Sequence, residues 1–226
     1  MLSALLYKAG RFVIGSYSRL MLKMDVHWHG HLPSGPVLFA ANHPSTNDPI
    51  YIHLISSRPM SVMITSKVFS IPVLGPYMRK MRQIEVVRGQ GEQVLGEARE
   101  ALAAGRSVVI FPEGAISPEN GFAPVRSGVA RLALQSGVPV VPIGIHLKGE
   151  NCKRVPTMLD GEPDVITWYL HGPYAVTVGK PLHFRGNADD RPLVKAVAET
   201  IMEHIRTLRG ESQLRMTRFS SGISWS

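Results

Sequence analysis

Short apolar runs separated by helical segments constrain this chain more than any other feature. Residues 37–41, 61–65, 84–87, 107–111, 138–145 and 175–178 each suit one buried strand, and 26–31 alternates before a turn at Pro33-Ser34-Gly35-Pro36. Residues 49–56, 91–104, 125–135 and 192–208 lie between or beyond them and read as helices. Strands alternating with helices predict an α/β fold with a mixed, largely parallel central sheet flanked by helices. Several runs are apolar almost throughout, as strands covered on both faces must be. A chain of 226 residues, 44% of them hydrophobic, can bury one full core, which we place at residues 26–209. Residues 210–226 are Ser-rich, carry Arg215 and Arg218, and predict a flexible basic tail.

Residues 1–25 predict an amphipathic helix. Leu2, Leu5, Leu6, Ala9, Val13, Tyr17, Leu20 and Met24 recur at helical spacing, Lys8, Arg11 and Arg19 project elsewhere, and no acid precedes Asp25. Such a helix can lie in a membrane interface with its cations among lipid headgroups, or pack on its own domain, or do both. Lys8 and Arg11 interrupt the apolar stretch, so a spanning helix is not expected there.

The formal charge of +8 points to an anionic partner: nucleic acid, anionic lipid or an anionic substrate. Aromatic content of 7%, with no basic–aromatic stripe, argues against nucleic acid. The one cysteine, Cys152, excludes an internal disulfide and a cysteine-based metal cluster, and suits a reducing compartment. His27, His29 and His31 alternate as metal ligands could, but without companion ligands they read as an exposed strand face. The chain lacks a Walker-type loop, a Gly-x-Gly-x-x-Gly fingerprint and a Gly-x-Ser-x-Gly elbow.

Two segments carry chemistry. In Asn42-His43-Pro44-Ser45-Thr46-Asn47-Asp48-Pro49, an imidazole that can take a proton sits five residues from a carboxylate that can orient it. The same Asp48-Pro49 step is also a good helix start, with aspartate as the cap, and spacing alone leaves both readings open. In Phe111-Pro112-Glu113-Gly114, an apolar strand ends in an acid and a glycine, where ligand sites of α/β sheets collect.

Together these segments resemble the glycerolipid acyltransferases, typified by lysophosphatidic acid acyltransferase. Asn42-His43 with Asp48 matches the family's His-x4-Asp block, and Ile84-Glu85-Val86-Val87-Arg88 its second block. Phe111-Pro112-Glu113-Gly114 matches the third and Val138-Pro139-Val140-Val141-Pro142 the fourth, in the family's order. The resemblance implies transfer of a fatty acyl group from acyl-CoA or an acyl carrier protein thioester to a lipid hydroxyl. It implies no acyl-enzyme and no cofactor or metal, and an enzyme peripheral or monotopic on the cytoplasmic face of a bilayer. By analogy His43 is the general base and Asp48 orients it, while Asn42, Arg88, Glu113, Gly114, Ile116 and Arg126 fall on the substrate side. One departure stands out. The family's third block continues Thr-Arg-Ser, whereas this chain reads Ala115-Ile116-Ser117. Isoleucine cannot replace a bidentate cation, so either another cation substitutes, with Arg126 nearest, or the acceptor's head group differs. A thioesterase that activates water with the same dyad, and a non-catalytic basic membrane-binding protein, are the competing readings.

Overall fold

The computed structural model describes residues 2–119, 121–159 and 162–220. Seven strands form one mixed sheet in the order β1-β9-β6-β2-β5-β3-β4. They are β1 (Asp25–Trp28), β2 (Leu38–Ala41), β3 (Met60–Thr65), β4 (Ile84–Val86), β5 (Ser107–Ile110), β6 (Val140–Leu147) and β9 (Tyr174–Val178). From β6 to β4 every pairing is parallel; β9 runs antiparallel to β6, and β1 follows β9. The parallel strands therefore end on one edge of the sheet, and β2 lies inside it between β6 and β5.

Alternation along β2 shows why the sheet is covered on both sides. Val37, Phe39 and Ala41 enter one core with Val109, Phe111, Val141, Ile143, Tyr169 and Tyr174. Leu38 and Ala40 enter the other with Val108, Ile110 and the helices α5 (Gly91–Ala103), α6 (Gly128–Ser136) and α7 (Arg191–Ser220). The first face carries α1 (Leu2–Tyr17), which runs on through a π-helical turn (Ser18–Leu22), and the short α2 (Asp48–Tyr51) with a 3₁₀ turn (Ile52–Leu54). Two more short helices, α3 (Ser66–Phe69) and α4 (Leu74–Lys80), fill the connection from β3 to β4.

Two regions differ from the sequence expectation. Residues 210–220 continue α7 instead of trailing as a flexible tail; 221–226 lie outside the described residues. The apolar stripe of α7 gives way to a polar seam, which periodicity does not reveal. Ser212 is fully buried and donates to the Gly144 carbonyl at 2.9 Å, and Arg215 bonds Asp25 at 2.8 Å and the Val176 carbonyl at 2.9 Å. Gly144 permits this approach, since a Cβ there would fall 2.0 Å from the Arg209 backbone nitrogen. The second region is a hairpin, β7 (Cys152–Leu159) with β8 (Glu162–Tyr169), which forms its own two-stranded sheet beyond the end of β6.

The N-terminal helix divides its faces. Ile14, Tyr17 and Met24 pack on the core, and Arg11 donates to the carbonyls of His53 and Ser56. Ala9, Phe12, Val13 and Leu20 are exposed, together with Lys8, Arg19 and Lys23. Of the expected stripe, Tyr17 and Met24 therefore face the domain while Ala9, Val13 and Leu20 face out; the side chains of Leu2 and Leu5 lie outside the described residues. No described helix is long and apolar enough to cross a membrane. His29 is not left on an open strand face: its Nε2 lies 2.8 Å from Glu211 of α7.

Candidate active site

The chain leaves β2 through Asn42, whose side chain extends the sheet. Its amide donates to the Ile145 carbonyl at 2.9 Å and accepts the Ile145 N–H at 2.7 Å. Asn42 is thus a stitch between β2 and β6, buried and spent on the backbone, rather than a substrate contact. His43 follows at the sheet edge, its ring stacked on Phe111 with centroids 4.1 Å apart.

His43 Nδ1 lies 2.9 Å from Asp48 Oδ2. A carboxylate can only accept, so Nδ1 carries the proton and the lone pair of the neutral ring sits on Nε2. Asp48 is fully buried, and a bare carboxylate there would cost several kcal/mol. Three further donors satisfy it. Ser45 supplies its N–H at 2.8 Å and its hydroxyl at 2.8 Å, and Tyr174 supplies its phenol at 2.7 Å. Burial, then the Asp48 charge, push the Tyr174 pKa far up, so its hydroxyl remains a donor. Asp48 opens α2 with Pro49 behind it, but the cap position belongs to Asn47. The carboxylate turns back to His43 and Ser45 and does not serve as the cap.

The turn between His43 and Asp48 is held from outside by the hairpin. Thr46 donates its N–H to the Thr167 carbonyl at 2.8 Å, and Asn47 Oδ1 accepts the Tyr169 N–H at 2.9 Å. Tyr51 caps the Tyr169 carbonyl at 3.0 Å and meets Tyr174 edge-on at 5.4 Å.

The segment after β5 lies beside this turn. Glu113 is 2% exposed and accepts from Ser117 Oγ at 2.5 Å, Ala123 N–H at 2.6 Å and His43 N–H at 3.4 Å. Ser117 returns its N–H to the His43 carbonyl at 2.8 Å, so the two loops are sewn together. Glu113 therefore anchors a loop and does not present its carboxylate to solvent. Gly114 takes a left-handed φ of +63°, and Arg126 lies over it, with Nε 3.2 Å from the Glu113 carbonyl. Ile116 is half-buried. Arg88 lies in the turn two residues past β4, exposed, and β4 is three strand spacings or about 14 Å from β2. The structure thus gathers His43, Asp48, Glu113, Gly114 and Arg126 and leaves Arg88 at a distance. Sequence reasoning missed Ser45, Ser117 and Tyr174; only Ser117 left a signal, as the retained serine of the third block.

A model of the family described as Acyltransferase matches residues 23–146, more than half of the chain. The chain belongs to this acyltransferase family. The matched segment runs from just before β1 almost to the end of β6 and holds the whole His43–Asp48 turn and the Glu113 loop. This acyltransferase-family chain is 32% identical over 166 residues to a chloroplastic 1-acyl-sn-glycerol-3-phosphate acyltransferase of Brassica napus, covering 71% of the chain and 45% of that relative. It is 36% identical over 132 residues to a lyso-ornithine lipid O-acyltransferase of Rhizobium meliloti, covering 56% of the chain and 44% of the relative. The chain spans about half the length of these curated relatives. In fold it is similar to the crystal structure of a 1-acyl-sn-glycerophosphate acyltransferase from Thermotoga maritima, with a TM-score of 0.62 at 22% identity over 89% of this chain and 82% of that one. The mixed α/β sheet expected from the apolar runs is the fold of that enzyme.

Proposed function

We propose that this acyltransferase-family chain moves a fatty acyl group from the thioester of acyl-CoA or acyl carrier protein to the hydroxyl of a lysoglycerolipid such as 1-acyl-sn-glycerol-3-phosphate. One observation carries the reading. His43 is bonded through Nδ1 to a buried, fully satisfied Asp48 while its ring keeps 15% exposure, and among the described residues no hydrogen bond engages Nε2. In this reading the acceptor O–H gives its proton to Nε2 as its oxygen attacks the thioester carbonyl. Asp48 stabilises the imidazolium that forms. Collapse of the tetrahedral intermediate breaks the C–S bond, and the leaving thiolate takes the proton back from Nε2. No acyl-enzyme is needed. Cys152 is poorly suited to be one, since burial raises its thiol pKa.

Ile116 supports a second reading of the acceptor. The apolar side chain lowers the expectation of a bare phosphomonoester, and the lyso-ornithine lipid relatives are named for acceptors of another kind. The exposed face of α1 and of the π-helical turn after it supports docking on an anionic bilayer facing the cytoplasm: Phe12 and Leu20 are more than three-quarters exposed and flanked by Lys8, Arg19 and Lys23. The test is mass spectrometry of products after acyl-CoA and acyl carrier protein donors are offered to a panel of lysolipids. Acylated lipid is expected; free fatty acid alone would establish a thioesterase and refute the proposal.

A further inference from the structure

The acceptor side of the site described above lacks the arginine of the family's third block. Ile116 is apolar, Arg126 has its Nε on the Glu113 carbonyl, and Arg88 stands three strands away. The hairpin supplies a further cation. Its register pairs Cys152 with Tyr169, Arg154 with Thr167 and Pro156 with Val165, so these side chains share one hairpin face. On that face Thr167 and Tyr169 are buried, and their backbones hold the catalytic turn at Thr46 and Asn47. Arg154 is directly across from Thr167, one strand spacing of about 5 Å away, on the side turned to the sheet.

Two further observations tie Arg154 to the loop that carries Ile116 and to the surroundings of Asp48. Its Nη2 lies 3.2 Å from Glu119 Oε2, three residues past Ile116 on the loop from β5. The half-buried Cys152 thiol, shifted upward by burial, also feels Arg154, Asp48 and Glu119. Farther out, Lys67 of α3 donates to the Met158 carbonyl. The hairpin therefore leaves β6, crosses the ends of β2 and β5, and touches the segment after β3, as a strap across the mouth of the site.

We propose that Arg154 receives the oxyanion of the acceptor's head group and that Glu119 holds the guanidinium in place before the acceptor arrives. This rests on the acyl-transfer reading of the site. The pair is 40% and 57% exposed, so water already competes for it and an incoming anion can share or displace it. The guanidinium has five donors, and the Glu119 contact leaves others for a phosphate or a carboxylate. An amino-acid head group would bring an ammonium as well, which Glu119 could keep. Arg154 lies beyond the segment matched by the family model.

The test uses the full chain with His43→Ala, so that binding is read without turnover. Calorimetry compares three lysolipids of one acyl length: lysophosphatidate, an ornithine lysolipid and uncharged monoacylglycerol. Arg154→Gln is expected to cut the affinity for the bound anionic lysolipid, relative to monoacylglycerol, by at least about tenfold. Adding Ile116→Arg to that variant restores lysophosphatidate binding. Glu119→Gln weakens the ornithine lysolipid and not lysophosphatidate if the head group carries an ammonium. An anionic-to-uncharged ratio that is the same with and without Arg154, or no preference among the three lipids, overturns the assignment. Turnover of the wild-type chain separates the two ideas. Arg154-dependent binding with no acylated product refutes acyl transfer alone, whereas an active enzyme with an unchanged ratio refutes Arg154 alone.

Discussion

Asp48 and Glu113 are both buried carboxylates at the ends of adjacent parallel strands, and they are used differently. Asp48 gives one oxygen to an imidazole whose far nitrogen is open, while Glu113 gives both oxygens to the loop that follows it. Burial and position do not tell a working carboxylate from a scaffolding one. What tells them apart is whether the network ends on a group that can reach substrate.

The largest expected effects fall on the Asp48 side. His43→Ala should lower turnover by about 10³-fold or more and Asp48→Asn by roughly 10²–10³-fold. Steady-state assays beside thermal melting check this, and wild-type turnover from His43→Ala would remove the proposed base. Glu113→Gln should do the reverse. It costs about 1–3 kcal/mol of stability, because a buried amide cannot satisfy three donors, while turnover falls by less than about tenfold. A loss of turnover equal to that of Asp48→Asn, with melting unchanged, would break the comparison. Tyr174→Phe sharpens it further. Without the phenol, Asp48 is a stronger acceptor for the His43 Nδ1 proton, so the imidazolium is favoured. The acid limb of kcat/KM should move up, by at most about one pH unit; a rigid pH profile would show that Tyr174 only fills space.

The smallest effect concerns a second contrast, between His43 and the half-buried His53. Burial, then Arg106 and Arg11, lower the His53 pKa to about 4 from 6.5. The folded chain therefore binds fewer protons than the unfolded one between those values. The stability this histidine contributes is present above pH 6.5 and is lost as pH falls through about 4. His53→Gln should flatten the drop in melting temperature across that window; an equally steep drop would place the acid sensitivity elsewhere, with His146 the next candidate because burial lowers it in the same way.

Apolar strands and the His43-to-Asp48 spacing were legible because they are local. Val37 to Ala41 must be a two-faced strand whatever follows, and Phe111-Pro112-Glu113-Gly114 must end one. The hairpin was not legible. Pro156, Pro163, Lys153 and Arg154 spoil any alternation, and its strands are held by contacts to Thr46 and Asn47 more than a hundred residues away. Residues 210–220 escaped for a related reason, since Ser212 and Arg215 pack through hydrogen bonds to Gly144, Val176 and Asp25 rather than through an apolar stripe.

The sequence by itself determined the α/β sheet, the two strand ends that hold the candidate site, and the missing cation at Ile116, because periodicity and short-range spacing act within a few residues. Tertiary structure alone decided that Asp48 is held by Tyr174, that Glu113 is a loop anchor and that Arg154 pairs with Glu119. Each of these depends on which distant groups satisfy a buried or half-buried charge, and only the packed sheet edge brings those groups within hydrogen-bond range.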